Sequence, residues 1–175
     1  MPKSRKMLND WDAPYLQALI KAIETQSKQT LANWSIDYAE HVLLPIWQKS
    51  FPDDLRPYEA IVDARSWLRG EIKLPEAKRT ILSCHESARS AEGSPAAQAA
   101  ARAIGQSAST IHSARHCIGL PLYGALSVAY DALGFQATWD DLEARAADEA
   151  GRMLQALIAV SDPAEPNPAH IDWKC

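Results

Sequence analysis

The sequence predicts an all-α fold, a single-domain bundle of six or seven helices with an alanine-rich helix at its centre. Apolar residues recur at intervals of three and four along most of the chain, which is the helical period. No pair of alternating strands joined by a hairpin turn occurs. With 175 residues, of which 47% are hydrophobic, the chain has the length and the apolar content of one globular domain. We therefore predict one helical domain over residues 1–175, with a proline-rich tail over 161–175.

The first two helices are predicted from capping residues and prolines. Asp12 is the expected N-cap of the first helix, and Pro14 suits its first turn. A second helix is predicted from Ser27 to Lys49. Because proline has no backbone N–H to donate, Pro45 is expected to kink this helix or to end it early.

The third and fourth helices are predicted from the same kind of evidence. The third runs from about Arg56 to Arg69, with Pro57 in its first turn and Gly70 as its C-terminal cap. The fourth runs from about Pro75 to Ala91. The residues predicted to lie near its inward face are Ile81, Leu82, Cys84, His85 and Ala88.

The segment from Pro95 to Leu133 is rich in alanine, glycine and serine, which allow helix axes to approach closely. It is too long for one ordinary helix, so we predict a break between His112 and Arg115, with Ser113 as a possible cap of the following helix. This small-residue segment is expected to supply the central helix.

The last helix is predicted from Trp139 to Val160, after a cap at Thr138. Its predicted core residues are Leu142, Ala146, Met153, Leu154, Leu157 and Ile158. Three prolines between Ser161 and Pro168 exclude a helix there. The sequence leaves two alternatives for the remainder of the tail: Trp173 docks on the body of the protein, or the end is loose.

Composition narrows the function classes. A formal net charge of -4 argues against a general nucleic-acid binder. The three cysteines, Cys84, Cys117 and Cys175, contain no C-x-x-C pair, so we expect reduced thiols and a cytoplasmic protein. No apolar run approaches the roughly 18 residues of a membrane span. The basic residues of Met1–Met7 precede no apolar stretch, so we expect no secretory signal.

Several short motifs follow one another along the middle of the chain. They are Tyr38 to Pro45, Arg56-Pro57-x-x-Ala60-Ile61, Ala64-Arg65-x-Trp67-x-Arg69-Gly70-Glu71, Cys84-His85, Ala101 to Gln106, Thr110-Ile111-His112, and His116. In this order they resemble a bacterial family of all-α immunity proteins, the Imm-5-like class of polymorphic toxin systems. The resemblance covers residues 35 to 130, and Gly119-Leu120-Pro121 departs from the family's more regular alanine-rich run. It implies an all-helical fold and a role in binding and neutralising a toxin.

The histidines His85, His112 and His116 are candidate metal ligands, with Glu86 and Cys84 or Cys117 near them in sequence. His112 and His116 share a face only if one helix carries both. The alternative is that the three imidazoles are hydrogen-bonded inside the fold, as buried polar groups usually are. A divalent metal therefore remains an alternative to a protein without a cofactor.

Arg65, Arg69 and Glu71 form a second candidate cluster. An arginine pair on one helix rim can bind a carboxylate or a phosphate, and it can equally pair with acids of the bundle such as Glu86 or Asp63. The complete predicted polar cluster, for binding or for stability, is Arg65, Arg69, Glu71, His85, His112 and His116. No residue is assigned a catalytic role.

The favoured function is a non-catalytic immunity protein that occludes a toxin. Acidic groups at Asp53-Asp54, Asp140-Asp141-Glu143 and Asp148-Glu149 would attract a basic toxin, and they are also explained as solvated helix ends. The alternative is a small metal-dependent or Arg/His-assisted enzyme with a site around His85, His112 and His116. Neither nucleic acid nor a membrane is an expected partner.

Overall fold

The computed structural model describes residues 4–174; Met1–Lys3 and Cys175, with what was predicted of them, lie outside the described residues. The described chain is helical without a β-strand, which confirms the all-α class. The α-helices are α1 (Pro14–Ile23), α2 (Lys28–Tyr38), α3 (Leu44–Ser50), α4 (Arg56–Leu68), α5 (Leu74–Ser90), α6 (Pro95–Ser109), α7 (Leu126–Leu133) and α8 (Trp139–Val160).

A π-helical turn, Ala39–Leu43, joins α2 to α3 in one continuous run over 28–50. Of the two outcomes expected at Pro45, a kink or an early end, the early end is wrong, because the run continues to Ser50. In the π turn the N–H of Leu44 donates to the carbonyl of Ala39, five residues back. This change of register places Pro45 in the first turn of α3, where its missing N–H is tolerated.

The predicted break in the small-residue segment is confirmed. Helix α6 ends at Ser109, a 3-10 turn follows over Ala114–Ile118, and a π-helical turn over Leu120–Ala125 leads into α7. Ser113 precedes the 3-10 turn but makes no capping hydrogen bond through its side chain. When the joined segments are counted together, the described residues form seven helical rods, within the predicted number.

Three smaller predictions are wrong. Ala13, not Asp12, is the N-cap of α1, and no side chain caps that helix. Leu82 and Ile158 are 64% and 52% exposed. Each lies one residue beyond a buried position, Ile81 or Leu157, and one residue turns a helix by about 100°. The helical period therefore predicts burial least reliably for residues at the edge of an apolar stripe.

Helix α6 is the central element, as predicted. It packs against α2, α3, α4, α5 and α7, and against both segments that follow it. Most of its side chains are buried, and most of the buried ones are alanine. Close approach is also visible at Gly124, where an added Cβ would lie 2.9 Å from Leu43 Cδ1. Small side chains thus let one helix touch neighbours on all sides.

The non-helical tail docks on the connection between α1 and α2. The side-chain amide of Gln26 donates to the Asp162 carbonyl at 3.0 Å and accepts from the Asp162 N–H at 2.9 Å. The Gln26 carbonyl accepts from the Ala169 N–H at 2.8 Å. Further along, Trp173 Nε1 donates to Glu24 Oε1 at 2.8 Å and its ring lies beside that of Trp11. These contacts select the docked alternative for Trp173.

Within residues 4–174, none of the helices combines the length and the apolar character that crossing a bilayer requires.

Packing around α6 leads to a first prediction. Ala103→Leu adds three carbons at a fully buried position beside Gly124, in the closely packed centre of the bundle. We expect the free energy of unfolding to fall by about 1–3 kcal/mol or more. Urea denaturation followed by circular dichroism measures it. Ala159→Leu, the same change at an exposed position of α8, is the control. Equal stability of the two variants would contradict the close packing of α6.

Candidate functional site

Arg65 lies on α4 and joins it to the run over 28–50. Its guanidinium donates to Asp37 Oδ1 at 2.6 Å and to a carboxylate oxygen of Glu40. Partial burial disfavours the charge, but these hydrogen bonds outweigh it and raise the pKa of Arg65. The predicted partners Glu86 and Asp63 were wrong. Asp63 is two residues away on the same helix and points in another direction. The pairing is therefore a joint between helices.

Arg69 and Glu71 form an exposed pair just beyond the end of α4. Arg69 Nε and Nη2 donate to the two carboxylate oxygens of Glu71, each at 2.7 Å. Gly70, with φ of 74°, reverses the chain between them, as its predicted capping role requires. The hydrogen bonds from Arg69 lower the pKa of Glu71. Because both side chains are exposed, the pair contributes little to stability.

The three histidines lie apart from these arginines, where α5, α6 and the segment after α6 meet. The His85 ring occupies the space above Gly105, where an added Cβ would lie 2.6 Å from its Cε1. The rings of His112 and His116 are tilted, with centroids 5.2 Å apart. His116 Nδ1 donates to Gln106 Oε1 at 2.8 Å. The structure thus divides the predicted polar cluster into separate arginine and histidine groups.

The surroundings of the histidines disfavour their charged forms. Burial is the largest cause, and it lowers the pKa of His85, of His112 and of His116. The neighbouring groups that add to this effect are all cationic. They are Arg102, Arg89 and His116 for His85, then His116, Lys78 and Lys28 for His112, and Arg115 for His116.

The histidines are not assembled as a metal site. Among residues 4–174, no three side chains of the types His, Cys, Asp and Glu come together in a group that could hold a metal ion. The thiols of Cys84 and Cys117 are free and buried, and burial raises the pKa of Cys84 to about 12. A protonated thiol is a poor metal ligand, so neither cysteine adds to the histidines.

A buried carboxylate on α8 was missed by the sequence analysis as a structural centre. Glu149 is 4% exposed. It accepts from the Tyr38 hydroxyl at 2.5 Å, from Arg145 at 3.1 Å and from Arg152 at 2.9 Å. Burial opposes its charge, but these three hydrogen bonds lower the pKa of Glu149 overall. A signal was present: Glu149 falls in the apolar stripe that runs through Ala146 and Met153.

Helix α4 also carries an uncovered apolar stripe on the side opposite its buried face. Leu55, Tyr58 and Val62 are 52%, 43% and 38% exposed. Their spacing of three and four residues places them on one side of the helix. Glu59 and Asp63 alternate with them and line the same shallow depression, about 350 Å³ in volume, that Tyr58 and Val62 border. We call these five residues the α4 face.

An apolar stripe with a carboxylate rim is typical of a surface that binds another protein. The class that the fold defines is an all-α, single-domain helical bundle. The family model described as Imm-5 like putative immunity protein matches residues 21–156, most of the chain, so the chain belongs to that family. The match extends beyond the resemblance seen over residues 35–130. No curated protein and no solved structure matches the chain.

The buried carboxylate generates a prediction about stability. Glu149→Ala leaves the Tyr38 hydroxyl without its acceptor and two arginines without their shared partner. We expect a loss of about 1–3 kcal/mol in the free energy of unfolding, measured by urea denaturation. Glu86→Ala, which removes an exposed pair with Arg89, should change it by less than about 0.5 kcal/mol. Similar losses in both variants would contradict the central role of Glu149.

The lowered pKa values of His85, His112 and His116 predict a pH-dependent stability. Below about pH 6.5 the unfolded chain binds protons that the folded protein resists, so stability falls as the pH falls from about 7.5 toward 5.5. The effect should be seen as a decreasing thermal midpoint in phosphate-free buffers. Carboxylates with lowered pKa values, such as Glu149, contribute only nearer their unfolded pKa of about 4.3.

Replacing all three histidines by glutamine should flatten this dependence. A thermal midpoint that stays constant between pH 7.5 and 5.5 in the unmodified protein would show that the histidines titrate alike in both states.

Proposed function

We propose that this protein binds a protein toxin and neutralises it by physical blockade, without catalytic turnover. Membership of the Imm-5 like family supports a partner of this kind. The observation that carries the proposal is the α4 face, where three large apolar side chains remain uncovered on a helix that already buries its other side. Leaving such a stripe in water costs free energy that a partner surface would recover.

The charges around the α4 face favour a basic toxin. Glu59 and Asp63 belong to the face, and Asp53 lies exposed just before the helix. Arg56 does not neutralise them, because its guanidinium is bonded to Asp54 at 2.8 Å and 2.5 Å. Within the described part of the chain, Glu59 and Asp63 form no ion pair. Uncompensated carboxylates beside an apolar centre attract a cationic surface and accelerate its encounter.

The α4 face is suited to blockade because its helix is firmly held. Pro57, Ala60, Ile61 and Ala64 are buried on its inner side, and Arg65 ties it to Asp37 and Glu40. A rigid surface loses little conformational entropy when a partner binds, which favours tight and lasting occlusion. The free, buried thiols of Cys84 and Cys117 are compatible with a reducing compartment, so we infer that neutralisation takes place in the cytoplasm.

The test uses the product of a toxin gene adjacent to the gene for this protein. Co-expression should protect cells, and the purified proteins should form a complex. Tyr58→Ala combined with Val62→Ala removes most of the apolar surface of the face. We expect this double variant to weaken binding by at least about 30-fold, equivalent to roughly 2 kcal/mol, in titration calorimetry and to lose protection.

The control for this experiment removes exposed apolar surface elsewhere. Leu133→Ala combined with Phe135→Ala changes two side chains that are 46% and 45% exposed near the end of α7. This control should bind and protect like the unmodified protein. If the Tyr58/Val62 variant still forms the complex and the Leu133/Phe135 variant does not, the toxin binds at a surface other than the α4 face. Absence of any complex or protection would overturn the neutralising function itself.

A further inference from the structure

We propose that Arg102 and the imidazoles of His85, His112 and His116 form a binding site for a tetrahedral oxyanion, a phosphate ion or the phosphate group of a small molecule. We call these four residues the imidazole–arginine site. It lies where α5, α6 and residues 112–116 meet, and all four side chains keep part of their surface exposed. The site is independent of the α4 face, so it goes beyond toxin neutralisation.

The surroundings of the three imidazoles carry an excess of positive charge. The ionic groups that act on the three imidazoles belong to Lys28 on α2, Lys78 and Arg89 on α5, Arg102 on α6, and Arg115. Only Arg89 has a carboxylate near it, since Glu86 lies 3.8 Å away and both are exposed. Within residues 4–174, Arg102 and Arg115 form no ion pair. Several elements thus bring cations together, whereas the carboxylate that lies beside one of them, Glu86, is exposed.

Two buried nitrogen atoms of this site lack hydrogen bonds. Arg102 Nε and His112 Nδ1 are buried, and neither has a partner. A buried polar nitrogen left without a partner destabilises the folded state, so such groups are rare in folded proteins. Small rotations of these side chains toward an added oxygen atom would satisfy them. Arg65 differs from Arg102 in this respect, because the Arg65 guanidinium already donates to two carboxylates.

The rings of His85 and His116 are held in position before any ligand binds. His116 donates through Nδ1 to Gln106, which leaves Nε2 as the nitrogen that can meet a ligand. Gln106 itself packs over Gly119, where an added Cβ would lie 2.3 Å from the Gln106 Cβ. The ring of His85 is likewise accommodated by the missing side chain of Gly105. Gly105 therefore provides space for the His85 ring, and Gly119 provides space for the Gln106 side chain that holds His116.

An oxyanion at this site would reverse the electrostatic balance that keeps the histidines neutral. Each protonated imidazole can donate a charge-assisted hydrogen bond to an oxyanion, and Arg102 can donate a bidentate one. Binding should therefore be accompanied by proton uptake, and it should become tighter as the pH falls. Sulfate is the appropriate first probe, because its own charge does not change between pH 6 and pH 8, whereas that of phosphate does.

The test is a sulfate titration of the unmodified protein, followed through the histidine ring signals by NMR at pH 6 and pH 8. We expect the signals of His85, His112 and His116 to shift together with one saturating dissociation constant. Their pKa values should rise in the complex. Binding should be tighter at pH 6 than at pH 8, by less than tenfold for each histidine whose pKa rises by about one unit, because pH 6 does not lie far below the pKa values of the free protein. Shifts that increase linearly without saturation would overturn the proposal.

Arg102→Gln should weaken sulfate binding by about tenfold or more. Arg79→Gln, which removes the same charge from the outer side of α5, should leave it unchanged. Equal weakening in both variants would reduce the effect to net charge and refute a built site. Should Arg102→Gln fail to fold, His116→Gln provides the second variant, because glutamine keeps a donor near Gln106 but cannot become charged, so the pH dependence should decrease.

Two further comparisons identify the ligand. Inorganic phosphate and glycerol phosphate are titrated at pH 7; saturable binding of either supports the site, and tighter binding of the monoester assigns it to a phosphorylated small molecule. A zinc titration that saturates at one equivalent, while no oxyanion binds, would replace the proposal by a metal site. The proposal fails or stands without regard to toxin binding, because the Tyr58 and Val62 variants do not alter these four residues.

Discussion

The fold depends on how closely neighbouring helices can approach α6. Its buried side chains are mainly alanines, with Gly105 among them. Small side chains shorten the distance between helix axes, so one helix can be surrounded by five others and by the turns that follow it. Larger residues would satisfy the hydrophobic pattern equally well but would separate the rods and open cavities between them. The arrangement of the other helices therefore depends on the small volume of this one.

Around this core, charged groups have two different environments. Arg65 joins opposite charges of separate helices, whereas Glu149 pairs with two arginines of its own helix and accepts from the Tyr38 hydroxyl of α2. In both cases hydrogen bonds from the partners compensate the burial of an ionised group. On the side of His85 and Arg102, cations and imidazoles gather, and the nearby carboxylate of Glu86 is exposed beside Arg89. The paired groups around Arg65 and Glu149 hold the helices together. Near His85, by contrast, nitrogen atoms of Arg102 and His112 have no hydrogen-bond partner within the described chain.

The two proposed surfaces differ in the physical interaction that would attract a ligand. The α4 face offers apolar area with an acidic rim, so its partner would be a protein with a complementary basic surface. The imidazole–arginine site offers hydrogen-bond donors in a small space, which suits a compact anion. Both lie on helices that pack directly on α6. A rigid centre thus supports two exposed regions with opposite electrostatic character.

Local sequence determined the helices themselves. Trp139–Val160 and the segment beginning at Arg56 were bounded correctly by Thr138, Pro57 and Gly70, because caps and breakers act within a few residues of their own position. The family resemblance likewise came from motifs read along the chain. Which stripe of a helix is buried was less certain at its edges, as Leu82 shows, because the period alone does not set how far a neighbouring helix extends.

Tertiary structure alone decided which polar groups meet. Arg65 pairs with Asp37 and Glu40 rather than with an acid closer in sequence, and Tyr38 meets Glu149 across 111 residues. It also decided that Pro45 continues a helix, since a π turn shifts the register just before it. Such pairings depend on the packing angle of whole helices, a property that no short segment of sequence carries. The sequence by itself therefore determined the rods and the family, and the packing on α6 determined the sites.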